Sequence, residues 1–354
     1  MIALIAFGAI ALILAGFIFV GGAPPYITVP PDHLWEVGGF TITNTLTSAW
    51  ATMLVLILIA VMAGPKMSLV PRGFSGFVEM VLSGFFNICS TVAGEQNTRR
   101  FFPLVATIFF YVLVSNWLAL LPGVKTVGLA KANYGYQQSV MSQTELPIIG
   151  SVAYIPLTPD TVNKKAGEKP ILTEEMAHSL HVEEGKYVHS EDGKTFSGGV
   201  RGVFRPVHTD ITAPLAIAIF SFLFVEFWGL QSLGPGYLTK FFAFGAIFKK
   251  GPLGLIDIFV GLLELVSEFS RIVSFTFRLF GNIFAGSVLM LMMTFLTPFI
   301  LILPFYGLEI FVGTIQAFVF AVLTLVFAMM AVISHHGDEH GDEHGHGEAH
   351  HAAH

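Results

Sequence analysis

The chain has 354 residues, 54% of them hydrophobic and only 12% charged, where soluble domains carry about 25% charged residues. With a mean hydropathy of +0.72 it reads as a polytopic membrane protein, and its net charge of −6 says little because the acids gather in one loop and the tail. One cysteine, Cys89, excludes an intrachain disulfide; there is no zinc spacing, phosphate-binding glycine loop or nucleophile elbow, and the scattered basic residues exclude a nucleic-acid surface.

In chain order, Ile2 to Val20 is an uncharged apolar run. No basic stretch precedes it, so it reads as a retained helix rather than a cleaved signal. Pro24-Pro25 and Pro30-Pro31 break any helix, and Trp35 suits an interface. A second span is expected from Leu46 to Ala63, stopped by Gly64-Pro65. Phe74 to Gln96 differs: Glu79, Ser83, Asn87 and Ser90 recur at helical spacing among apolar residues, the pattern of an amphipathic helix on the membrane surface or against partner helices. Arg99-Arg100 lead into a span from Phe102 to Leu121, closed by Pro122-Gly123.

Gly123 to Asp210 is the long hydrophilic stretch, rich in charges and turn residues, and is expected to form a small extramembrane cap of unassigned fold. Ala213 to Leu230 spans again with Glu226 near one end, and a final apolar segment runs from Phe299 to Ile333. Lys66, Arg72, Arg99 and Arg100 mark one short basic loop, and Lys240, Lys249 and Lys250 another. The positive-inside rule places both in the cytoplasm and the long loop outside. The expected division is 1–45 (apolar segment and external stretch), 46–121 (two spans with an interfacial helix), 122–210 (external loop), 211–333 (spans forming the functional core) and 334–354 (tail). The fold class is all-α, with five to six membrane helices.

Between the last two spans lies Asp257 to Met290, apolar enough for a bilayer yet carrying Asp257, Glu264, Glu268, Arg271, Arg278 and Asn282. On a helix these fall within roughly an 80° arc. Such a stripe cannot face lipid, where a centred charge costs about 2.5–3.5 kcal/mol or more, so it faces protein or a water-filled cavity. A helix of about 36 residues is about 54 Å long against a hydrocarbon core of about 30 Å. It therefore lies steeply inclined or is broken near Ser270–Ser274, and the single inclined helix explains more. Gly281, Ala285 and Gly286 thin it and are expected to admit another helix closely. Glu268 and Arg271 read most simply as a structural pair, and Asp257 and Glu226 as solvated or locally paired. Arg278 has no acid within four residues of it on the chain, and Glu309 has no basic residue in its segment. These two, with Gln316 seven residues after Glu309, carry the functional expectation: titratable groups at two depths with a permanently charged guanidinium between them suit a proton or cation path.

At these residues the chain resembles subunit a of F-type ATP synthases, the stator subunit of a proton-driven rotary motor. Arg278-Leu-Phe-Gly-Asn282-Ile-Phe-Ala-Gly286 looks like that family's signature, and Gln316-Ala-Phe-Val-Phe-Ala-Val-Leu-Thr324 like its final-helix motif. Ser115-Asn116-Trp117 with Leu120-Leu121-Pro122, and Pro206-Val-His-Thr-Asp210-Ile-Thr212, add weaker support. The resemblance implies two long inclined C-terminal helices against a ring of proteolipid c subunits, with peripheral-stalk b subunits and the rest of the F1Fo complex as further partners, in a bacterial inner membrane. It implies that Arg278 meets the ring carboxylate, that Asn282 and Gln316 line an outer half-channel, and that Glu264 with Ser267, Ser270 and Ser274 lines an inner one. Some members have an acid where this chain has Ser287 and a histidine where it has Glu309, so Glu309 is expected to be the outer-channel acid. Ser287, Glu268 and Asp257 are further possible lining positions. No cofactor is implied, and the chain is expected to be a transport component and not an enzyme alone.

The tail from Ser334 to His354 holds eight of thirteen histidines, and its composition reads as disordered. His335, His336, His340 and His344 have metal-ligand chemistry but no fixed spacing. The alternatives are a self-contained transporter, for which no internal repeat is visible, and a membrane metalloenzyme, for which no intramembrane ligand set is visible.

Overall fold

The computed structural model describes residues 30–64, 73–121, 128–132, 138–146, 150–154, 161–162, 169–179, 181–234, 236–237, 241, 254–296 and 302–332. The apolar run Ile2–Val20, the basic positions Lys66, Arg72, Lys240, Lys249 and Lys250, and the histidine-rich tail lie outside the described residues.

A short hairpin comes first, β1 (His33–Val37) with β2 (Phe40–Thr43). Its two-residue connection is Gly38-Gly39, with φ +59° and +84°, the left-handed pair that matches strand twist and that glycine adopts without strain. Helix α1 (Asn44–Ala63) follows at once, its N-cap Thr43 accepting from the Leu46 amide. Next come α2 (Phe74–Ala93) and α3 (Glu95–Leu118), separated by Gly94 at φ +74°. Helix α3 begins seven residues before the expected Phe102. Arg99 and Arg100 therefore sit on its first turns and not in a loop, Arg99 on Glu95 at 2.7 Å and Arg100 on Gln231 and Ser232.

The segment expected as a cap of unassigned fold contains strands. These are β3 (Gly128–Ala132), β4 (Gln138–Leu146), β5 (Gly150–Tyr154), β6 (Thr161–Val162), β7 (Ile171–Leu172), β8 (Val188–His189) and β9 (Thr195–Gly202), with the short helix α4 (Glu174–Ser179). An antiparallel sheet runs β3-β9-β4-β5, with β6 also on β4, while β7 and β8 pair in parallel. Leu172, Met176, Ala177 and Phe196 form its own small core. The all-α class thus describes the membrane part, and a β unit is inserted between two of its helices.

A 3-10 turn at Val207–Thr209 leads into α5 (Thr212–Leu233), followed by α6 (Gly254–Leu296) and α7 (Leu303–Val332). Helices α1, α2, α3, α5 and α7 are each long and apolar enough to cross a membrane; α6 carries more charge. At 43 residues α6 is about 65 Å long and unbroken at Ser270–Ser274, so the helix is single and not hinged there, and it is about twice the length of a hydrocarbon core of about 30 Å. Helix α7 is the packing centre: Ala317, Phe320, Ala321, Leu325 and Ala328 are at most 1% exposed, and α3, α5 and α6 all pack on it. Its alanines let these neighbours approach closely.

Two ends of the bundle are distinguishable. At the sheet end, Thr47 donates to Val203 O at 2.6 Å and the Arg205 amide donates to Ser48 Oγ at 2.9 Å, tying α1 to the segment that enters α5. At the far end α2 begins beside the last residue of α1, through Ser75 Oγ to Ala63 O. It ends at the start of α3, which is bound to the last turns of α5 through Arg100. Both ends of α2 therefore belong to the far end. That topology fits a helix laid across the end, one of the two placements its amphipathic pattern allows, although its length and composition would let it span.

Candidate functional site

The six polar positions of α6 do not share one environment. Glu268 is 2% exposed and receives Arg271 at 2.5 Å, while the Arg271 guanidinium lies 3.7 Å over the Phe327 ring of α7. One edge of the stripe is thus folded inward as an ion pair. Glu226 of α5 joins this region through Tyr237, whose hydroxyl bonds its carboxylate. Burial first, then Glu226 and Glu268, push the Tyr237 phenol above its usual range, so it stays protonated and donates. Its ring occupies the space above Gly229, where a Cβ would meet ring carbon at 2.6 Å.

The other edge faces outward. Ser267, Ser270, Ser274, Gly281 and Ala285 are exposed along α6, and Arg278 is half-exposed among them. Spacings of three and four residues place them on one face, small except for the guanidinium. Arg278 reaches back to Ser274 Oγ at 3.4 Å and lies 5.7 Å from the Phe275 ring centroid. No carboxylate pairs with it among the described residues. Glu264 lies half-buried two helical turns before Ser270–Ser274. Asp257 is on the first turn of α6, its side chain outside the description.

Beyond Arg278, toward the sheet end, α6 and α7 are joined by polar groups. Asn282 Nδ2 donates to Gln316 Oε1 at 2.7 Å, with Gln316 4% exposed. One turn further the Glu309 carboxylate sits directly on Gly286, where a Cβ would come within 2.1 Å of Oε1. This corrects the expectation for Gly286: the missing side chain makes room for a carboxylate and not for another helix backbone. Glu309, Gly286 and Ser287 line a cavity of about 20 Å³ with Asn116, Pro206, Ile283 and Met290 among its walls, room for about one water. The structure therefore brings Asn282 to Gln316, and Glu309 to Ser287. It does not bring Glu268 or Arg271 to either pair. His335, His336, His340 and His344 lie outside the described residues.

Two contributors carried no charge signal in the sequence. Asn116 donates to Gly313 O at 3.1 Å and is seated against a glycine whose Cβ would lie 3.2 Å from its own. His208 is 1% exposed and bonded to Ser115 at 2.8 Å; burial lowers its pKa to about 3, so the ring is neutral. Both lie in the weaker motifs, Ser115-Asn116-Trp117 and Pro206–Thr212. Just before the second, Arg205 bonds Thr209 Oγ1 and Pro30 O at 2.9 Å, and within it Asp210 accepts from Thr45, Thr212 N and Thr212 Oγ1. Burial depresses the Arg205 pKa, and Asp32 and Asp210 oppose that shift.

The chain resembles ATP synthase subunit a of Moorella thermoacetica, with 24% identity over 308 residues, covering 87% of this chain and 99% of that protein. It resembles the same subunit of Helicobacter pylori at 26% over 286 residues (81% of this chain and 88% of that protein), and of Helicobacter acinonychis at 25% over the same length and shares. The family model described as ATP synthase A chain matches residues 46–329, which include Arg278, Asn282, Gln316, Glu309, Glu264, Asn116 and His208. The long helix with its arginine, which has no carboxylate partner among the described residues, the amide pair beside it and the carboxylate beyond thus stand within that match, and the chain belongs to the ATP synthase A chain family.

Proposed function

We propose that this chain forms two offset half-channels against a ring of c subunits, so that proton flow turns the ring and drives ATP synthesis. At the coarser level the family membership carries the statement: the chain is a multi-pass membrane component of the proton-transporting Fo sector, and it is not catalytic alone. The observation that carries the finer reading is Arg278. Its guanidinium stands on a half-exposed, otherwise small-residue face, with no carboxylate partner among the described residues. A charge that cannot be deprotonated and cannot face lipid needs water or an acidic group from another subunit at that face. A ring carboxylate passing that face supplies one.

In this mechanism a proton enters from the sheet side, reaches Glu309, and passes the Asn282–Gln316 pair to a ring carboxylate. The neutralised carboxyl then leaves Arg278 and turns into lipid at much lower cost than its charged form. After nearly a full turn it meets the inner route along Glu264, Ser267, Ser270 and Ser274, where Arg278 favours the ionised form and the proton departs. Arg278 blocks the direct path because it offers no removable proton. Each charge crossing the membrane yields about 2.3 kcal/mol per 100 mV. The sheet then faces the bacterial exterior side of the inner membrane, and the b subunits of the peripheral stalk hold the chain against torque. Ser287 and Asp257 belong to the walls of the two routes, while Glu268 serves the structural pair.

The test is Arg278→Ala in the assembled complex, measured in inverted membrane vesicles. ATP-driven proton pumping and ATP synthesis are both expected to vanish, with the ring and b subunits still co-purifying. Synthesis at the parent rate with the ring present would sink the mechanism.

A further inference from the structure

Gln316 Nε2, Asn116 Oδ1 and His208 Nδ1 are buried polar atoms with no hydrogen-bond partner among the described residues. All three lie from Arg278 toward the sheet end. Folded proteins satisfy most such atoms, and a run of them through helices is what a hydrated passage leaves. Gln316 and Asn116 border positions already assigned to the outer route. His208 does not, and it is a histidine fully enclosed on the turn where α1, α3, α5 and α6 meet.

Its tautomer follows from Ser115. The Ser115 hydroxyl lies 2.9 Å from Val112 O and 2.8 Å from His208 Nε2. A hydroxyl has one proton and a carbonyl can only accept. Ser115 therefore donates to Val112 O and accepts from Nε2–H, which leaves Nδ1 as a bare lone pair in the interior. Two residues earlier Pro206, and one residue after Ser115 Asn116, line the cavity that holds Glu309 and Ser287. Two residues later Asp210 belongs to the polar cluster with Thr45 and Thr212, and the intervening Thr209 takes Arg205.

We propose that His208 Nδ1 is a water-positioning acceptor of the outer route, joining the Arg205–Asp210 cluster to the Glu309 cavity. This rests on the outer half-channel reading above. The acceptor holds a water by one of its hydrogens, which turns the oxygen lone pairs to receive the next proton. Burial keeps the imidazole neutral, so His208 orients the water without storing charge, a positioning role.

Two isosteres separate this from a merely structural anchor. His208→Asn keeps an acceptor near the Nδ1 position and cannot reach Ser115; His208→Gln reaches Ser115 with its amide and leaves no acceptor at Nδ1. Passive proton conduction is measured in vesicles stripped of F1, with ring and b-subunit content as the assembly control. The Asn variant is expected within about twofold of the parent and the Gln variant about tenfold below it, the scale of losing one ordered water site. A Gln variant that conducts like the parent overturns the proposal, because the Ser115 bond is then all that matters. Equal loss in both assembled variants, or failure of both to assemble, also overturns it and makes His208 a folding anchor. Glu309→Gln is measured alongside. If it conducts normally, the outer route itself is wrong; if it is blocked while His208→Gln conducts, only the role of His208 falls.

Discussion

At the scale of residues, the closest constraint in the site is between a glycine and a carboxylate. A Cβ on Gly286 would lie 2.1 to 2.4 Å from the carboxylate atoms of Glu309, so both cannot keep their places. The obstructing atoms are the far end of a flexible side chain, and the helix backbone need not move. Gly286→Ala is therefore expected to displace Glu309 and leave the fold intact, with stability changed by less than about 1 kcal/mol since alanine is also the better helix former. Proton conduction is expected to fall at least several-fold, because a proton-transfer group must stay within hydrogen-bond reach, about 2.6–3.2 Å directly or through one water. Thermal unfolding and conduction measured on the same preparation check both halves. Unchanged conduction would mean that the carboxylate can work from elsewhere. The sequence shows Gly286 only as a small residue in a family motif. Its real partner lies 23 positions on, across two helices, and no local spacing encodes that meeting.

At the scale of elements, α6 is held in rotation by what its inner edge buries. The Glu268–Arg271 pair, 3% and 18% exposed at the side chains, is capped by Phe327. Removing one partner leaves a buried charge uncompensated, at about 3–5 kcal/mol, whereas replacing both by apolar groups is often neutral. Arg271→Met is thus expected to destabilise the chain and let α6 roll, carrying Arg278 away from the face proposed to meet the ring. The double variant Glu268→Leu with Arg271→Met should recover most of the stability. Melting temperatures of the complex and proton leak through it, measured for both variants, decide the point; a double variant that regains its melting temperature but leaks like the single one would show that the pair acts in transport rather than in packing. This pair was legible in sequence because residues three positions apart on a helix are neighbours. So were the long helices, since lipid demands about 20 apolar residues per span and leaves few other solutions. The strands were not. β9, TFSGGVRG, reads as a turn because of Gly198-Gly199, and its partners Gly128–Ala132 and Ser139–Ser142 lie more than fifty residues earlier. Strand pairing over that distance depends on register that no local pattern states.

At the scale of the whole molecule, the arrangement is polar in the directional sense. The sheet, the hairpin, the Arg205–Asp210 cluster, His208 and Glu309 stand toward one end. The first turn of α6, the start of α3 and both ends of α2 stand toward the other. The order of groups along the proposed routes depends on which end faces out, and the sequence supplies that only through loop charges, several of which lie outside the described residues. Reporter cysteines give a direct reading. Cys89 is fully buried and silent toward a membrane-impermeant maleimide, so introduced cysteines report alone. Lys194→Cys, on the exposed turn before β9, is expected to label in intact cells. Arg99→Cys, where the native side chain is 72% exposed at the far end, is expected to label only in inverted vesicles. The reverse pattern would place Glu309 on the cytoplasmic side and Glu264 outside, making the serine face of α6 the inlet during synthesis and the Glu309 cavity the outlet. Arg278 would keep its role in either case, since a barrier between two routes does not depend on the direction of flow, but the functions assigned to Glu309 and Glu264 would have to exchange.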